Sequence, residues 1–440
     1  MSVRNRLRSA LLRTLFSERV QKAKRGMTEL KRKLGGSAHV VEVFLQIDDP
    51  YSYLLAHYLP ALEECYDIKL ILHLSQALGD GYQPAPDMLA EYAVEDSKRL
   101  ARELGLPFLD KGVSPPTEHR VALTDAVAAR QEDLLAVLEM YWRGDSETAA
   151  RHAADLPDPG MGDSAIATAQ RRLVKLGHYN SAMLYYGGEW YWGVDRLHYL
   201  LDRLDGLGAR RSEAQHPKLA AIERATQVSP PVRPPAAAKN LPPLELFVSL
   251  RSPYSVLSLQ RVFDLVDAFG LQLNIRLVFP MVMRKMQVPK AKLLYIVFDA
   301  FREARRYGIR FGKFGADPVG AGIERTYAVY HYACTEHRER DFLLNAGVGI
   351  WADGIDVSTD AGMRKITGRT GLFWPEAQAA MQTIDWRDEV EANRESMMDL
   401  GSWGVPTLRI GDFVVWGQDR IWLLARHVED LCDSGDGILI

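Results

Sequence analysis

Two stretches of the chain carry the same order of apolar and polar positions. Val41-Glu42-Val43-Phe44-Leu45-Gln46-Ile47 is a mostly apolar run that ends in Asp48-Asp49-Pro50. Leu244-Glu245-Leu246-Phe247-Val248-Ser249-Leu250 is another, and it ends in Arg251-Ser252-Pro253. Each predicts a short buried strand, a turn, and a helix that begins at or just after the proline. The runs align without a gap at an offset of 203 residues. A helical stretch and a second strand follow in both places, over Ile68–His73 and Leu271–Leu277. A second pair of blocks runs from Gly177 to Arg196 and from Gly401 to Arg420, again gapless. Each reads as a β-hairpin, turning at Gly187-Gly188 or Gly411-Asp412, and leads into a last helix, Leu197–Leu204 or Ile421–Leu431. A third block links Tyr92, Asp96, Arg99 and Ala101 to Tyr295, Asp299, Arg302 and Ala304.

The pattern therefore predicts two units of one design: β-α-β, a mostly helical insertion, then β-β-α. From the proline to the Trp-Gly glycine the copies span 143 residues (50 to 193) and 164 residues (253 to 417). The difference belongs to the helical middle. The expected domains are a basic amphipathic arm over 1–37, a first domain over 38–207, a linker over 208–241 and a second domain over 242–440. The linker contains Ser229-Pro230-Pro231 and Pro234-Pro235-Ala236-Ala237-Ala238, a composition that favours a stiff extended spacer, and residues 213–226 predict a short helix within it.

Composition narrows the chemistry. At 440 residues, 47% hydrophobic and 25% charged, the chain is globular and long enough for several domains. Its three cysteines, Cys65, Cys334 and Cys432, are far apart, and no CxxC occurs. That excludes a disulfide scaffold, a cysteine-rich zinc site and a dithiol redox pair. A net charge of -3 gives no reason to expect a nucleic-acid partner. The charge is uneven, however. Residues 1–35 hold eleven Arg/Lys against two Glu, +9 formally, which leaves -12 for the remainder. Leu7, Ala10, Leu11, Leu15 and Phe16 predict a short amphipathic helix in this arm, expected first to pack on the domain beside it or on another subunit, with contact to anionic lipid or a protein partner as the alternative. Charge interrupts the apolar run too early for a secretory signal, and no stretch reaches the roughly 18 apolar residues of a membrane span. The expected location is the cytoplasm, with the arm available to the inner face of a membrane.

The second copy resembles one family. Ser252-Pro253-Tyr254-Ser255, Lys292-x-x-Tyr295 with Asp299, Arg302 and Ala304, Gly404-Val405-Pro406-Thr407, and Trp416-Gly417-Gln418-Asp419-Arg420 are similar to the motifs of the 2-hydroxychromene-2-carboxylate isomerase group. That group includes the kappa-class glutathione transferases and has the DsbA-like thioredoxin fold. The resemblance covers about 190 residues, 242 to 432, with a fainter form over 38–206. It implies an α/β protein of two DsbA-like thioredoxin-fold domains, each with a helical insertion. It further implies that glutathione is the cofactor and that no metal is used. On this resemblance Ser252 matches the serine that holds or activates the glutathione sulfur. Pro406 matches the fold's cis-proline, and Val405 the residue whose backbone pairs with the tripeptide. Gln418 and Asp419 match the segment that receives the γ-glutamyl end, where the Asp carboxylate suits an α-ammonium. Lys292 lies at the family's lysine, a cation for glutathione or for the carboxylate of an aromatic acid. Asp356, after Trp351, matches the loop that returns from the insertion.

In the first copy Asp49 stands opposite Ser252, Leu89 opposite Lys292, Ala182 opposite Pro406 and Val194 opposite Gln418. An Asp49 carboxylate repels a thiolate, so the first domain reads as catalytically silent. These family proteins commonly act as dimers of such a unit, so the partners foreseen include a second copy or an intrachain pseudo-dimer. The leading expectation is a glutathione-dependent isomerase acting on a conjugated aromatic acid in the second domain. Conjugation of glutathione to an electrophile is the alternative within the family. A non-enzymatic interaction protein, docking through the first domain and the arm, is the alternative outside it. Gln418 in the Gly-x-Asp-Arg segment favours the isomerase branch.

Overall fold

A computed structural model describes residues 17–76, 84–108, 117–144, 160–211, 216–226, 234–286, 288–313 and 315–433, with single positions between them. The apolar positions foreseen as a helix near the amino terminus, and Ser229-Pro230 of the Pro-rich stretch, lie outside these residues. The chain divides into two compact units, one of Ala23–Gln227 and the other of Val228–Ile440 with Met1–Lys22, so the boundary falls within helix α1 (Glu18–Leu34).

The first unit contains β1 (His39–Leu45), α2 (Pro50–Ala56), α3 (Leu59–Cys65) and β2 (Ile68–Leu74). Helices α4 (Pro86–Leu104), α5 (Thr117–Ala129), α6 (Leu134–Arg143) and α7 (Met161–Lys175) follow. The unit then closes with β3 (Met183–Tyr186), β4 (Glu189–Trp192), α8 (Leu197–Gly206) and α9 (Pro217–Thr226). Its sheet has the order β2-β1-β3-β4, with β1 parallel to β2 and antiparallel to β3. Pairing on both sides makes β1 the central strand, which is why Val41, Val43, Phe44 and Leu45 are all buried rather than alternating.

The second unit repeats this plan. β5 (Leu244–Val248) leads to α10 (Pro253–Phe269) and β6 (Leu273–Leu277). Helices α11 (Lys290–Arg306), α12 (Ala321–Thr335), α13 (Glu339–Val348), α14 (Asp360–Thr370), α15 (Trp374–Thr383) and α16 (Arg387–Asp399) form the longer insertion. β7 (Thr407–Ile410), β8 (Phe413–Trp416) and α17 (Ile421–Asp433) complete the unit. The sheet order is β6-β5-β7-β8, with the same senses of pairing. Every residue of β5 is buried.

The likeness extends to single hydrogen bonds. Glu42 and Glu245 take the same place on the two central strands, and each is buried against basic residues. Glu42 accepts from Arg172 and His73, and Glu245 from Arg276 and Arg409. The hydroxyls of Tyr51 and Tyr254 donate at 2.8 Å to Asp96 and Asp299. Those aspartates are almost fully buried, so the Tyr…Asp pattern of the sequence braces the first helix of each unit against the insertion.

Two local differences from the sequence expectations have clear causes. β6 begins at Leu273, because the Leu271 N–H closes the end of α10 on the Val266 carbonyl around Gly270, which has a φ of 69°. The stretch read as a spacer is partly packed structure. α9 buries Leu219, Ile222 and Ala225 and packs on α4, and a 3-10 turn over Ala236–Asn240 buries Ala238 and packs on α17. Its small and apolar residues supply contact surface that composition alone reads as linker.

Candidate functional site

Ser252 is the N-cap of α10. Its φ of -81° and ψ of 118° are extended, and its Oγ accepts from the Ser255 N–H at 3.2 Å. Pro253 occupies the first helical position, where its missing N–H costs nothing. The Ser252 hydroxyl donates to the Val405 carbonyl at 3.1 Å. The Val405–Pro406 peptide is cis, and the Pro406 carbonyl accepts from the Gly417 N–H at 2.8 Å. Three of the residues singled out in the sequence, Ser252, Val405 and Pro406, thus meet across 153 positions of chain.

The loop that carries Val405 is held in place from several sides. Gly404 lies so close to Trp416 that a Cβ on it would stand 2.4 Å from the indole nitrogen, so this position has no room for a side chain. Ser402 and Thr407 share a buried hydrogen bond of 2.7 Å, and Thr407 also donates to the Gly404 carbonyl at 2.7 Å. Arg284 donates through Nη2 to the Trp403 carbonyl at 2.7 Å, and burial lowers its pKa. Arg284 lies 119 residues from Trp403 and in no motif, so nothing in the sequence marks this contact.

Trp351 lies in a π-helical turn, Gly349–Asp353, that follows α13 in the middle of the insertion, not at its return to the core. Its indole N–H donates to the Leu250 carbonyl at 2.9 Å, two residues before Ser252. Phe311 stacks on it with an interplanar angle of 8°. Nearby, Arg251 forms a bidentate pair with Asp317 at 2.9 and 3.0 Å. Asp356 follows this turn, but its carboxylate is engaged locally, accepting from the Ser358 hydroxyl and N–H. It shapes the entry to α14.

Lys292 stands in the first turn of α11 and is half-buried. Burial pushes its ammonium down from 10.5 to about 8. The group therefore changes charge within reach of neutral pH.

Gln418 is placed differently from the expectation. Its side chain is fully buried and its amide is committed within the protein. Oε1 accepts from Arg261 on α10, and Nε2 donates to Glu303 on α11 at 2.8 Å and to Asp419. Gln418 joins α10 and α11, and its side chain presents no surface to a ligand. Asp419 is half-buried beside it. Arg261 also lies over the Tyr307 ring, 3.7 Å from its centroid.

In the first unit, Asp49 caps α2 and accepts from the Tyr51 N–H at 3.1 Å. Its other oxygen accepts from Ser52 at 2.6 Å and Ser181 at 2.7 Å. Ser181 stands where the second unit has Val405, and Ala182 where it has Pro406. Ala182 takes a left-handed φ of 52°, and its carbonyl accepts from the Gly193 N–H as Pro406 does from Gly417. Desolvation raises the Asp49 carboxyl above its ordinary range, against the pull of these hydrogen bonds. The same loop thus closes on the same helix end through a carboxylate.

A cavity of about 490 Å³ lies elsewhere in the second unit, between β6 and the end of α12, lined by Arg276, Tyr330, Cys334 and Arg340. Among the described residues, no group of three or more His, Cys, Asp or Glu is placed to hold a metal ion.

What Ser252 and its surroundings offer is a hydroxyl at a helix amino terminus, on a shaped loop, with no cysteine of the chain beside it. Such a position favours an anion or a sulfur atom over a bulky neutral group. Residues 243–429 match the family described as the DSBA-like thioredoxin domain, so the second half of the chain carries a domain of that class. Among individual proteins, the chain is similar to 2-hydroxychromene-2-carboxylate isomerase of Pseudomonas putida. The two are 21% identical over 197 residues, which is 43% of this chain and 95% of that protein. A solved structure of 2-hydroxychromene-2-carboxylate isomerase matches with a TM-score of 0.39 and 21% identity, over 43% of this chain and 96% of the other. A probable DsbA oxidoreductase from Streptomyces coelicolor matches with a TM-score of 0.37 and 16% identity, over 43% and 89%.

Proposed function

We propose that the second unit is a glutathione-dependent isomerase of the 2-hydroxychromene-2-carboxylate type, acting on a conjugated aromatic acid. The observation that carries this reading is the Ser252 hydroxyl at the start of α10, 3.1 Å from the Val405 carbonyl beside cis-Pro406. The relative's name supplies the reaction class, and the absence of a cysteine at this position argues against dithiol exchange.

Bound glutathione would supply a nucleophilic thiolate where the chain places Ser252 and no cysteine. Ser252 has one hydroxyl proton, now directed at Val405. Turning it toward a sulfur at the helix end stabilises the thiolate by a hydrogen bond and leaves the Val405 carbonyl for a backbone N–H of the tripeptide. The amino end of α10 adds its partial positive charge at the same point. Lys292, charged below a pH of about 8, offers a cation to a carboxylate. Asp419 supplies the complementary anion for an ammonium. With Gln418 buried, the leaning toward isomerisation rests on the relative and no longer on that residue.

The first unit, with the same strand order and the same Tyr–Asp and loop hydrogen bonds, is read as a degenerate thioredoxin-fold copy. Asp49 keeps the helix cap and the loop contact and makes the position hostile to a thiolate.

The test is calorimetric titration with glutathione, followed by incubation with glutathione and conjugated aromatic acids. An isomerised product with glutathione unconsumed supports the reading. A glutathione conjugate would instead make the protein a transferase. No measurable binding, or binding unaffected by Ser252→Ala, would remove both.

A further inference from the structure

The helix α1 has two unlike faces. One is turned to the protein. Arg25 forms a bidentate pair with Glu189 at 2.6 and 2.7 Å, Arg32 donates to Glu29 and to the Ser37 carbonyl, and Thr28 lies against Gly187. On the other side Ala23, Met27, Leu30 and Leu34 follow one another at spacings of four, three and four, which puts them on a single stripe of an α-helix. Met27 is 56% exposed, Leu30 53% and Leu34 80%. They account for three of the large apolar side chains left open among the described residues. This clustering on one helix face is unlike singly scattered surface apolar residues.

The flanks of the stripe decide its partner. Lys24, Lys31 and Lys33 border it and are exposed. The helix holds seven basic residues against two acidic ones, +5 formally. Those two, Glu18 and Glu29, are engaged with Lys22 and with Arg32 and Lys33. A second copy of this helix would bring lysine against lysine along both edges of the stripe, a like-charge pairing that opposes self-association. A layer of anionic headgroups over hydrocarbon complements both features together: apolar side chains enter, and lysines stay at the phosphate level.

We propose that α1 docks the protein, in the plane of the interface, on an anionic lipid surface through Met27, Leu30 and Leu34 with Lys24, Lys31 and Lys33 beside them. The contact is separate from the Ser252 site and does not depend on the reaction assigned to it. No helix among the described residues is long and apolar enough to cross a membrane, so the attachment is peripheral.

Flotation of the full chain with vesicles tests this. Vesicles of phosphatidylcholine containing about one-third phosphatidylserine should carry the protein up, and pure phosphatidylcholine should not; raising salt from ~0.1 to ~0.5 M should release it. The triple variant Met27→Gln/Leu30→Gln/Leu34→Gln should lose about tenfold or more in partitioning. Lys24→Gln/Lys31→Gln/Lys33→Gln should lose a similar factor. Both variants should keep the wild-type circular dichroism and melting temperature, because the altered side chains are exposed. The proposal is overturned if the wild type ignores anionic vesicles, if it binds neutral ones equally, or if either triple variant binds as the wild type does. It is also overturned if light scattering shows a lipid-free dimer that the apolar triple variant dissociates, since the stripe would then belong to a second copy.

Discussion

Ser252 and Asp49 stand at the same point of two like folds. Each caps a helix, yet only one leaves a proton that can be redirected. The Ser252 Oγ accepts one N–H and donates to Val405, so replacing it by alanine removes a cap worth about 1 kcal/mol and the hydroxyl proposed to hold sulfur. Ser252→Ala should therefore lower stability by about that amount in urea titration while cutting glutathione-dependent turnover by about 100-fold or more. Asp49→Ala should cost stability without costing activity. Ser52, Ser181 and the Tyr51 N–H lose their shared acceptor, at a cost of roughly 1–3 kcal/mol, and turnover stays within about twofold of wild type. Equal loss of activity in both variants would sink the assignment of the site to the second unit. Lys292 sets a pH dependence at the same scale. Its ammonium is charged below about 8 and neutral above it, because burial disfavours the charged form. Affinity for a carboxylate-bearing ligand should thus fall as pH rises through about 8. Lys292→Gln should bind more weakly with a flat profile over this range. Lys292→Arg should retain binding and move the fall beyond the measured range.

Gln418 shows what an element-level contact does that a motif does not reveal. Its amide links α10 through Arg261 and α11 through Glu303, and Glu303 is almost wholly buried. Gln418→Ala leaves the buried Glu303 short of a hydrogen bond away from water, and should cost about 2–3 kcal/mol in chemical denaturation. A variant of wild-type stability with weakened glutathione binding would instead return Gln418 to the ligand. The strands, the helix starts at Pro50 and Pro253 and the glycine turn of each hairpin were legible because each is written in neighbouring residues. The approach of Ser252 to Val405 was legible only through the family resemblance. Arg284 at the Trp403 carbonyl and Trp351 at the Leu250 carbonyl join positions 119 and 101 residues apart. Backbone carbonyls leave no mark on a sequence, so neither contact could be read from residue types. The packing of α9 was hidden for a related reason: Leu219, Ile222 and Ala225 form a narrow apolar stripe inside an Ala- and Pro-rich stretch, and only the partner surface on α4 makes it a core element.

At the scale of the whole molecule, two sheets with one strand order hold two loops of different chemistry. Each unit keeps its own buried glutamate with basic partners, its own Tyr–Asp brace and its own closure of the hairpin on the helix start. Retention of these contacts in the first unit means that its altered site is not a by-product of lost structure: Asp49, Ser181 and Ala182 make a different but complete set of bonds. Fold and site have therefore separated within one chain. If only the second unit binds a thiol, calorimetry should give one glutathione per chain. That stoichiometry should fall to none in Ser252→Ala and stay at one in Asp49→Ala. Asp49→Ser is the more demanding variant, since it restores a hydroxyl at the first helix while Ser181 and Ala182 still occupy the places of Val405 and Pro406. With the loop that would pair with the tripeptide backbone unchanged, the stoichiometry should remain one. A value of two in the wild type would give the first unit a site of its own, and a value of two only in Asp49→Ser would make the carboxylate alone responsible for its silence.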